Sequence, residues 1–307
     1  MNTELQLFEQ TILLPDTDMQ DRLSLLVGLD ETKEKLTKIL GLLVNSAGIK
    51  NWAKKHHPNA KTSLDYVLKR PPLIVLAGDV GSGKSELAYT IGDAVARQEK
   101  IEITLLPLSL ATRGEGRVGQ MTQMISTAFA QTIEKAKKLK GASGATRGAV
   151  ILLVDEADAL AQSRENNQMH HEDKAGVNAF IRGIDSLGNG KLPAAVLMCT
   201  NRPNALDPAI SRRAAEIVYF KRPSEEARFN VLNAPLSELG LSKAEINEIV
   251  KITGAHSDVG YGFTFSDLVQ RVLPAIILDA YPTSAVSGKR AIEIVKTIKP
   301  TPPFKEN

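Results

Sequence analysis

The sequence predicts an α/β protein in which a parallel sheet is sandwiched by helices and followed by a small, all-helical C-terminal domain. Three observations carry that reading. Short apolar runs of β type alternate with helical stretches between residues 73 and 220, the pattern of a parallel sheet covered on both faces. A glycine-rich turn stands directly between the first of these runs and a helix. Beyond Pro223 the β-type runs stop and only helical periodicity remains. A chain of 307 residues, 43% hydrophobic and 24% charged, is long enough for about two domains with a sizeable core. The expected division is an N-terminal arm over 1–22, a large αβα domain over 23–221, a helical lid over 222–300 and a tail over 301–307.

Taken in order, residues 1–22 carry Glu4, Glu9, Asp16, Asp18 and Asp21 around short apolar pieces, with Pro15 interrupting any long helix. From Leu29 to Val44 the residues Leu36, Ile39, Leu40 and Leu43 fall at helical spacing, with Asp30 at the start. Pro71 and Pro72 stop the polar stretch that follows, and Leu73 to Ala77 read as a buried strand. Leu87, Ile91 and Val95 recur every fourth residue on a helix opening from the glycine-rich turn. Ile101–Leu106, Ala149–Val154, Ala194–Cys199 and Glu216–Phe220 are the further strands, with a helix over Gln120–Lys140. The C-terminal helices are expected near Glu225–Ala234, Lys243–Thr253 and Ser266–Ala280.

Charge and cysteine content narrow the function classes. Thirty-eight Lys and Arg against 35 Asp and Glu leave +3, with the signs interspersed, so nothing calls for nucleic acid or an anionic membrane as partner. The single Cys199 cannot form an intramolecular disulfide, which fits a reducing compartment such as the cytoplasm. The amino terminus has no basic n-region, so a secretory leader is not expected. The longest apolar runs, such as Ala149–Val154, fall far short of the roughly 20 residues of a membrane span.

The chemistry lies in two motifs. Gly78-Asp79-Val80-Gly81-Ser82-Gly83-Lys84-Ser85 matches the phosphate loop G-x-x-x-x-G-K-[ST] at every fixed position, between strand and helix as that motif requires. Its glycines let backbone N–H groups curl around phosphate oxygens, and Lys84 reaches the β and γ phosphates of ATP. Ser85 is the expected Mg²⁺ ligand. The apolar strand ending in Asp155-Glu156 delivers two carboxylates to the same end of the sheet. Asp155 is expected to hold the magnesium through water, and Glu156 to orient and polarise the water that attacks the γ-phosphate.

Met198-Cys199-Thr200-Asn201 ends the next buried strand with a polar amide, and Leu206-Asp207-Pro208-Ala209-Ile210-Ser211-Arg212-Arg213 follows. Over roughly residues 23–281 the chain here resembles the AAA+ ATPases. The resemblance implies that Val27 and Gly28 form the adenine-side entry and that Asn201 is the sensor 1 residue. It further implies that Arg213, with Arg212 beside it, reaches a neighbouring subunit's γ-phosphate, hence a homo-oligomeric ring, expected to be a hexamer. A permanently charged planar fork suits that task.

The stretch Asp173 to Asp185, reading DKAGVNAFIRGID, and the segments Ser211-Arg212-Arg213-Ala214 and Arg271-Val272-Leu273-Pro274 resemble the HORMA-remodelling branch, the pachytene-checkpoint ATPases and their bacterial relatives. That resemblance implies an ATP-driven remodeller of a HORMA-domain partner, in bacteria within CD-NTase antiphage signalling. Two positions depart from the branch. Thr112 and Arg113 stand where related unfoldases carry aromatic residues of the first pore loop. Leu268 occupies the usual sensor 2 arginine position, with Arg271 one helical turn further on. The branch's eukaryotic N-terminal recognition domain is not expected here.

Other features read as ordinary. His170-His171-Glu172-Asp173 lacks the i, i+4 spacing of a helical metal pair and fits a solvated second pore loop. His56-His57 is equally bland. Cys199, inside an apolar strand, fits packing, and Lys135–Lys140 fits a wet helix face. Two other functions share the motifs. A DNA-linked AAA+ switch of clamp-loader or transposition type would show a basic face and DNA-stimulated hydrolysis, and a nucleotide-gated scaffold would bind ATP without turnover.

Overall fold

Strands that are apolar at every position must be covered on both sides, and this requirement arranges the first part of the chain. The computed structural model describes residues 7–110, 119–141, 146–161, 171–188, 191–204, 206–256 and 260–304; Thr112 and Arg113 of the expected first pore loop, and His170 of the second, lie outside them. The chain divides into two units. One comprises Met1–Ser24, Glu31–Ala77 and Ser85–Tyr219, the other Leu25–Asp30, Gly78–Lys84 and Phe220–Asn307.

The first unit holds the sheet. Its strands are β1 (Ile12–Leu14), β2 (Leu73–Gly78), β3 (Glu102–Ser109), β4 (Gly148–Asp155), β5 (Ala194–Thr200) and β6 (Ala214–Phe220), in the order β1-β3-β4-β5-β2-β6 over the described residues. The β3–β4, β4–β5 and β5–β2 pairs are parallel, as the alternation of strands and helices predicts. Every residue of β2 and β5 is buried. The register sets Ser109 opposite Asp155 and Ala77 opposite Thr200, so the carboxyl ends of these strands share one edge of the sheet.

The helices of this unit are α1 (Thr17–Ser24), α2 (Asp30–Val44), α3 (Ser46–His56), α4 (Lys61–Leu68), α5 (Lys84–Glu99), α6 (Gln120–Leu139), α7 (Asp158–Ala161), α8 (His171–Leu187) and α9 (Pro208–Ser211). Helices α6 and α8 pack through Phe129 and Phe180, whose rings meet edge to face at 5.6 Å, a geometry worth about 0.5–1.5 kcal/mol beyond area burial. Gly183 makes the approach possible: a Cβ there would lie 2.2 Å from the Phe129 ring. The lysines of the 135–140 run are exposed along α6, while Ala136 faces the core.

The amino-terminal segment is more structured than an arm. β1 pairs antiparallel with β3, and Leu14 is buried against Gly92 of α5. The Asp16 N–H donates to the buried Asp93 carboxylate at 2.7 Å, which also accepts from Arg97 Nε at 2.8 Å. Pro15 ends the strand rather than a helix. A three-residue strand has too little periodicity to read from sequence.

The second unit builds its core from α10 (Glu225–Glu238), α11 (Lys243–Ile252), α12 (Phe265–Asp267), α13 (Leu273–Ala280) and α14 (Gly288–Thr297). Leu232, Leu236, Ile246, Ile249, Leu268, Ile276 and Val295 are among its buried members. Ser242 and Glu245 close a capping box at the start of α11, worth roughly 1 kcal/mol. Pro274 has no N–H to donate back along its helix, and a π-helical turn over Leu268–Val272 precedes it. Asp267 accepts from the Thr264 and Thr301 N–H groups, the Thr301 hydroxyl and Arg271. Residue 301 of the expected tail is thereby fixed to this unit.

Candidate nucleotide site

The phosphate loop begins where β2 runs out of apolar residues. Gly78, Gly81 and Gly83 adopt φ of +154°, +72° and +91°, values an L side chain rarely takes. At Gly78 a Cβ would also stand 2.3 Å from the Phe220 carbonyl, and at Gly81 2.7 Å from Thr264 Oγ1. Gly78, a fixed position of the motif, and Gly81, a variable one, are therefore required by backbone conformation and by space together, and the fixed Gly83 by conformation. Ser82 and Lys84 are buried. The Lys84 ammonium donates to the Asp79 carbonyl at 2.7 Å and reaches Ser82 Oγ at 3.3 Å, so the cation is held over the loop. Val80 is exposed, and Asp79 Oδ1 accepts its N–H at 2.9 Å.

Val27 and Gly28 belong to the same unit as the loop. Gly28 has φ +79°, and its missing side chain would meet Ala227 and the Phe265 ring at 3.6 and 3.9 Å. Val27 is exposed. An apolar, sterically open wall of this kind suits a flat base.

In the sheet-bearing unit, the Ser85 hydroxyl donates to Asp155 Oδ1 at 3.1 Å, and the same oxygen accepts the Glu156 N–H at 2.9 Å. Hydroxyl and carboxylate oxygens at this spacing are hard donors of the type Mg²⁺ takes. Glu156 is exposed with φ +52°, an uncommon conformation for a non-glycine residue and one found at active sites. Its Oε2 accepts from the Ser109 hydroxyl at 3.2 Å. Nearby, Tyr89 donates to Glu9 at 2.9 Å, and burial together with that carboxylate pushes the phenol well above its ordinary pKa.

Asn201 sits at the end of β5 with its amide fixed by Asp158. The Asp158 carboxylate accepts the Asn201 N–H at 2.6 Å, its Nδ2 at 3.0 Å and the Thr200 hydroxyl at 2.9 Å. Asp158 takes one of the two Nδ2 hydrogens, so the amide can still donate through the other and accept a hydrogen bond from a water at Oδ1.

The arginines follow α9, which the sequence starts by Asp207 as N-cap, accepting from the Ala209 N–H at 2.7 Å, and Pro208 in the first turn. Arg212 is exposed. Arg213 forks onto Asp185, with Nε and Nη2 at 2.7 and 2.9 Å from its two oxygens, and donates through Nη1 to the Ala209 carbonyl. The hydrogen bonds it donates to Asp185 raise its pKa further. Arg271, one turn beyond the buried Leu268, donates to Asp267 at 2.8 Å.

Three residues here were not singled out from sequence. Ser109 closes β3 opposite Asp155, Asp158 lies just past the carboxylate pair, and Arg222 stands between the last strand and Pro223. Only Asp158 carried a local signal, as the third acid in Asp155-Glu156-Ala157-Asp158. No cluster of three or more His, Cys, Asp or Glu with metal-binding geometry occurs among the described residues, and none of their helices is long and apolar enough to cross a membrane.

A phosphate loop after one buried strand, with two carboxylates closing another strand of the same parallel set, defines a P-loop ATPase. Residues 74–222 match the family described as "ATPase family associated with various cellular activities (AAA)". The chain is 64% identical over 299 residues, 97% of its length and 96% of the other's, to the CD-NTase-associated protein 6 of Escherichia coli strain MS 115-1. The solved E. coli MS115-1 HORMA:CdnC:Trip13 complex contains a chain that superposes with a TM-score of 0.89 at 63% identity, 97% of each chain being covered. The Trip13 structure from Rhizobiales superposes at 0.75 with 52% identity, covering 96% of this chain and all of that one. The chain belongs to the AAA ATPases, and within them to the family of CD-NTase-associated protein 6; it binds and hydrolyses nucleotide as an ATPase of that family.

Proposed function

We propose that the chain works as a hexameric ring in the cytoplasm, using Mg²⁺ and ATP to remodel a HORMA-domain protein and so regulate a CD-NTase antiphage signalling system. The observation that carries this reading is the near full-length likeness to a chain of the solved E. coli MS115-1 HORMA:CdnC:Trip13 complex. In the reaction, backbone N–H groups of residues 78–85 cradle the phosphates while Lys84 balances their charge. Ser85, and Asp155 through water, would hold Mg²⁺, which when bound would neutralise charge developing on the phosphoryl oxygens. Glu156 positions and polarises the attacking water, and Asn201 Oδ1 fixes its orientation. Arg213 of one subunit, assisted by Arg212, stabilises the transferring phosphoryl group bound to the next. Thr112 and Arg113 contact the protein substrate, with Arg113 gripping backbone carbonyls or acidic side chains in place of an aromatic ring.

The test is disassembly of a preformed complex between a HORMA-domain protein and its partner CD-NTase. Wild type with ATP should release the two partners. Glu156→Gln should bind ATP, turn it over negligibly and leave the complex intact, because the amide keeps the shape and loses the base. Release at the wild-type rate by Glu156→Gln would separate remodelling from hydrolysis and refute the proposal.

A further inference from the structure

The second position of the phosphate loop accepts any residue in the motif, yet four donors converge on the carboxylate that fills it here. Arg222 places Nε at 2.8 Å and Nη2 at 2.5 Å from Asp79 Oδ2. Oδ1 accepts the Val80 N–H at 2.9 Å and the Phe304 N–H at 3.2 Å. The pair is well covered, the two side chains being 15% and 17% exposed. Arg222 is fixed in turn: Nη1 donates to the Gly262 carbonyl at 2.5 Å, and the guanidinium lies 4.8 Å from the centre of the Tyr261 ring. Asp79 also presents its own carbonyl to the Lys84 ammonium at 2.7 Å. Asp79 thus ties the lysine that meets phosphate to Arg222 on one oxygen and to the 301–304 segment on the other.

That segment is itself anchored, because Thr301 donates its N–H and hydroxyl to Asp267. A second tie is made one turn of the loop later, where the Ser266 N–H donates to the Gly81 carbonyl at 3.0 Å. The loop's shape is therefore imposed from outside its own sequence.

We infer that Arg222 is a positioning residue for nucleotide binding: through Asp79, and together with the main chain at Phe304, it holds the phosphate loop and Lys84 in the arrangement that receives ATP. The inference rests on the nucleotide role of the loop, and Lys84→Ala is its control. Arginine is suited to the position because one planar group satisfies a carboxylate, a carbonyl and a ring face at once, which a lysine ammonium cannot do.

The experiment uses the full chain, titrated with ATP and Mg²⁺ and followed by steady-state turnover and thermal unfolding. Arg222→Met should weaken nucleotide affinity and raise KM by about tenfold to a hundredfold, the cost of a misplaced binding group, while kcat at saturating ATP is largely kept. Asp79→Asn should do the same, and the double variant should be no worse than the worse single one, since both act through one contact. Arg222→Lys should fall between Arg222→Met and wild type. Phe304→Pro, read against Phe304→Ala as the control for the lost ring, removes the N–H and should shift KM in the same direction by less.

Wild-type affinity and KM in Arg222→Met, with nothing but a lower melting temperature, would overturn the inference, as would fully additive losses in the double variant. If Arg222→Met does not fold, Arg222→Lys and Phe304→Pro decide it by the same titration, and wild-type affinity in both refutes it. Unchanged affinity in Lys84→Ala would instead sink the nucleotide role of the loop.

Discussion

Arg213 and Arg222 stand a short way apart in sequence, in different units of the chain, and each forks onto an aspartate. In the sheet-bearing unit, the Arg213–Asp185 pair is open, its side chains 32% and 54% exposed. In the other unit, the Arg222–Asp79 pair is sealed by Gly262, Tyr261 and Phe304, and the Asp267 carboxylate that takes Arg271 is buried almost completely. The contacts are nearly identical in chemistry and length, so the difference lies in water. Removing one partner from a buried pair costs about 3–5 kcal/mol because a bare charge remains, whereas an exposed pair contributes about 0–1 kcal/mol. The sealed Arg222–Asp79 pair can therefore define a shape. The open pair can let its arginine go to a better acceptor at little cost, as a residue that acts on a neighbouring subunit must.

The largest effect should come from removing the open arginine. Arg213→Ala should lower turnover by about 10³ or more, the scale of a trans-acting arginine on a transferring phosphoryl group, while melting temperature and the isolated subunit's ATP affinity stay near wild type. Arg212→Ala should do less. Mixing Arg213→Ala subunits with Glu156→Gln subunits should restore hydrolysis at interfaces that pair the intact glutamate with the intact arginine. Co-assembly without any recovered activity would end the shared-site reading, and with it the functional half of the comparison.

Next in size is the buried carboxylate of the sealed region. Burial of Asp267 opposes its ionisation, but hydrogen bonds from Thr264, Thr301 and Arg271 outweigh it and hold the group at about 2. A folded-state pKa below the unfolded value of about 3.9 stabilises the fold fully above that value, and the contribution is lost as pH falls toward 2. Asp267→Asn should cost about 1–3 kcal/mol at neutral pH, the scale of disrupting a buried hydrogen-bonded group. In urea titrations from pH 7 to pH 2.5 the gap between variant and wild type should close at the acid end. A gap that stays constant with pH would mean the charge on Asp267 does not matter to the fold.

The contrast between open and sealed pairs also marks what was legible in the sequence. The phosphate loop and Asp155-Glu156 lie in contiguous stretches whose residue types follow from local chemistry, each a strand and its following turn, whereas the roles expected of Asn201 and the two arginines came from the resemblance to the AAA+ ATPases. Strands β2, β4 and β5 were legible for the same local reason: runs such as Leu73–Ala77 and Ala194–Cys199 are apolar throughout because both their faces are covered. The Arg222–Asp79 contact spans 143 positions and Phe304–Asp79 spans 225, and no local rule couples residues that far apart. β1 escaped because three residues in an acidic stretch make no pattern, and α14 because its apolar face, Ala291 and Val295, is defined only by the core it meets. What Arg213 touches was equally hidden, since Asp185 lies on a different helix.

The smallest effect sharpens the comparison most directly, because it isolates exposure. Asp185→Asn leaves the helix α8 backbone untouched and removes one charge from the open pair, so stability should change by no more than about 1 kcal/mol. The remaining Arg213 keeps the Ala209 carbonyl as a partner and has water around it, so no buried charge is stranded. Because the pair is exposed, the small loss should shrink further between low salt and about 0.5 M salt, where the Debye length is only a few ångströms. Asp79→Asn, measured alongside by the same unfolding titrations, should cost more and depend far less on salt, its arginine being left under Tyr261 and the 301–304 segment. Equal losses with equal salt dependence in the two variants would show that burial does not separate the pairs, and the distinction between a holding contact and a releasable one would have to be abandoned.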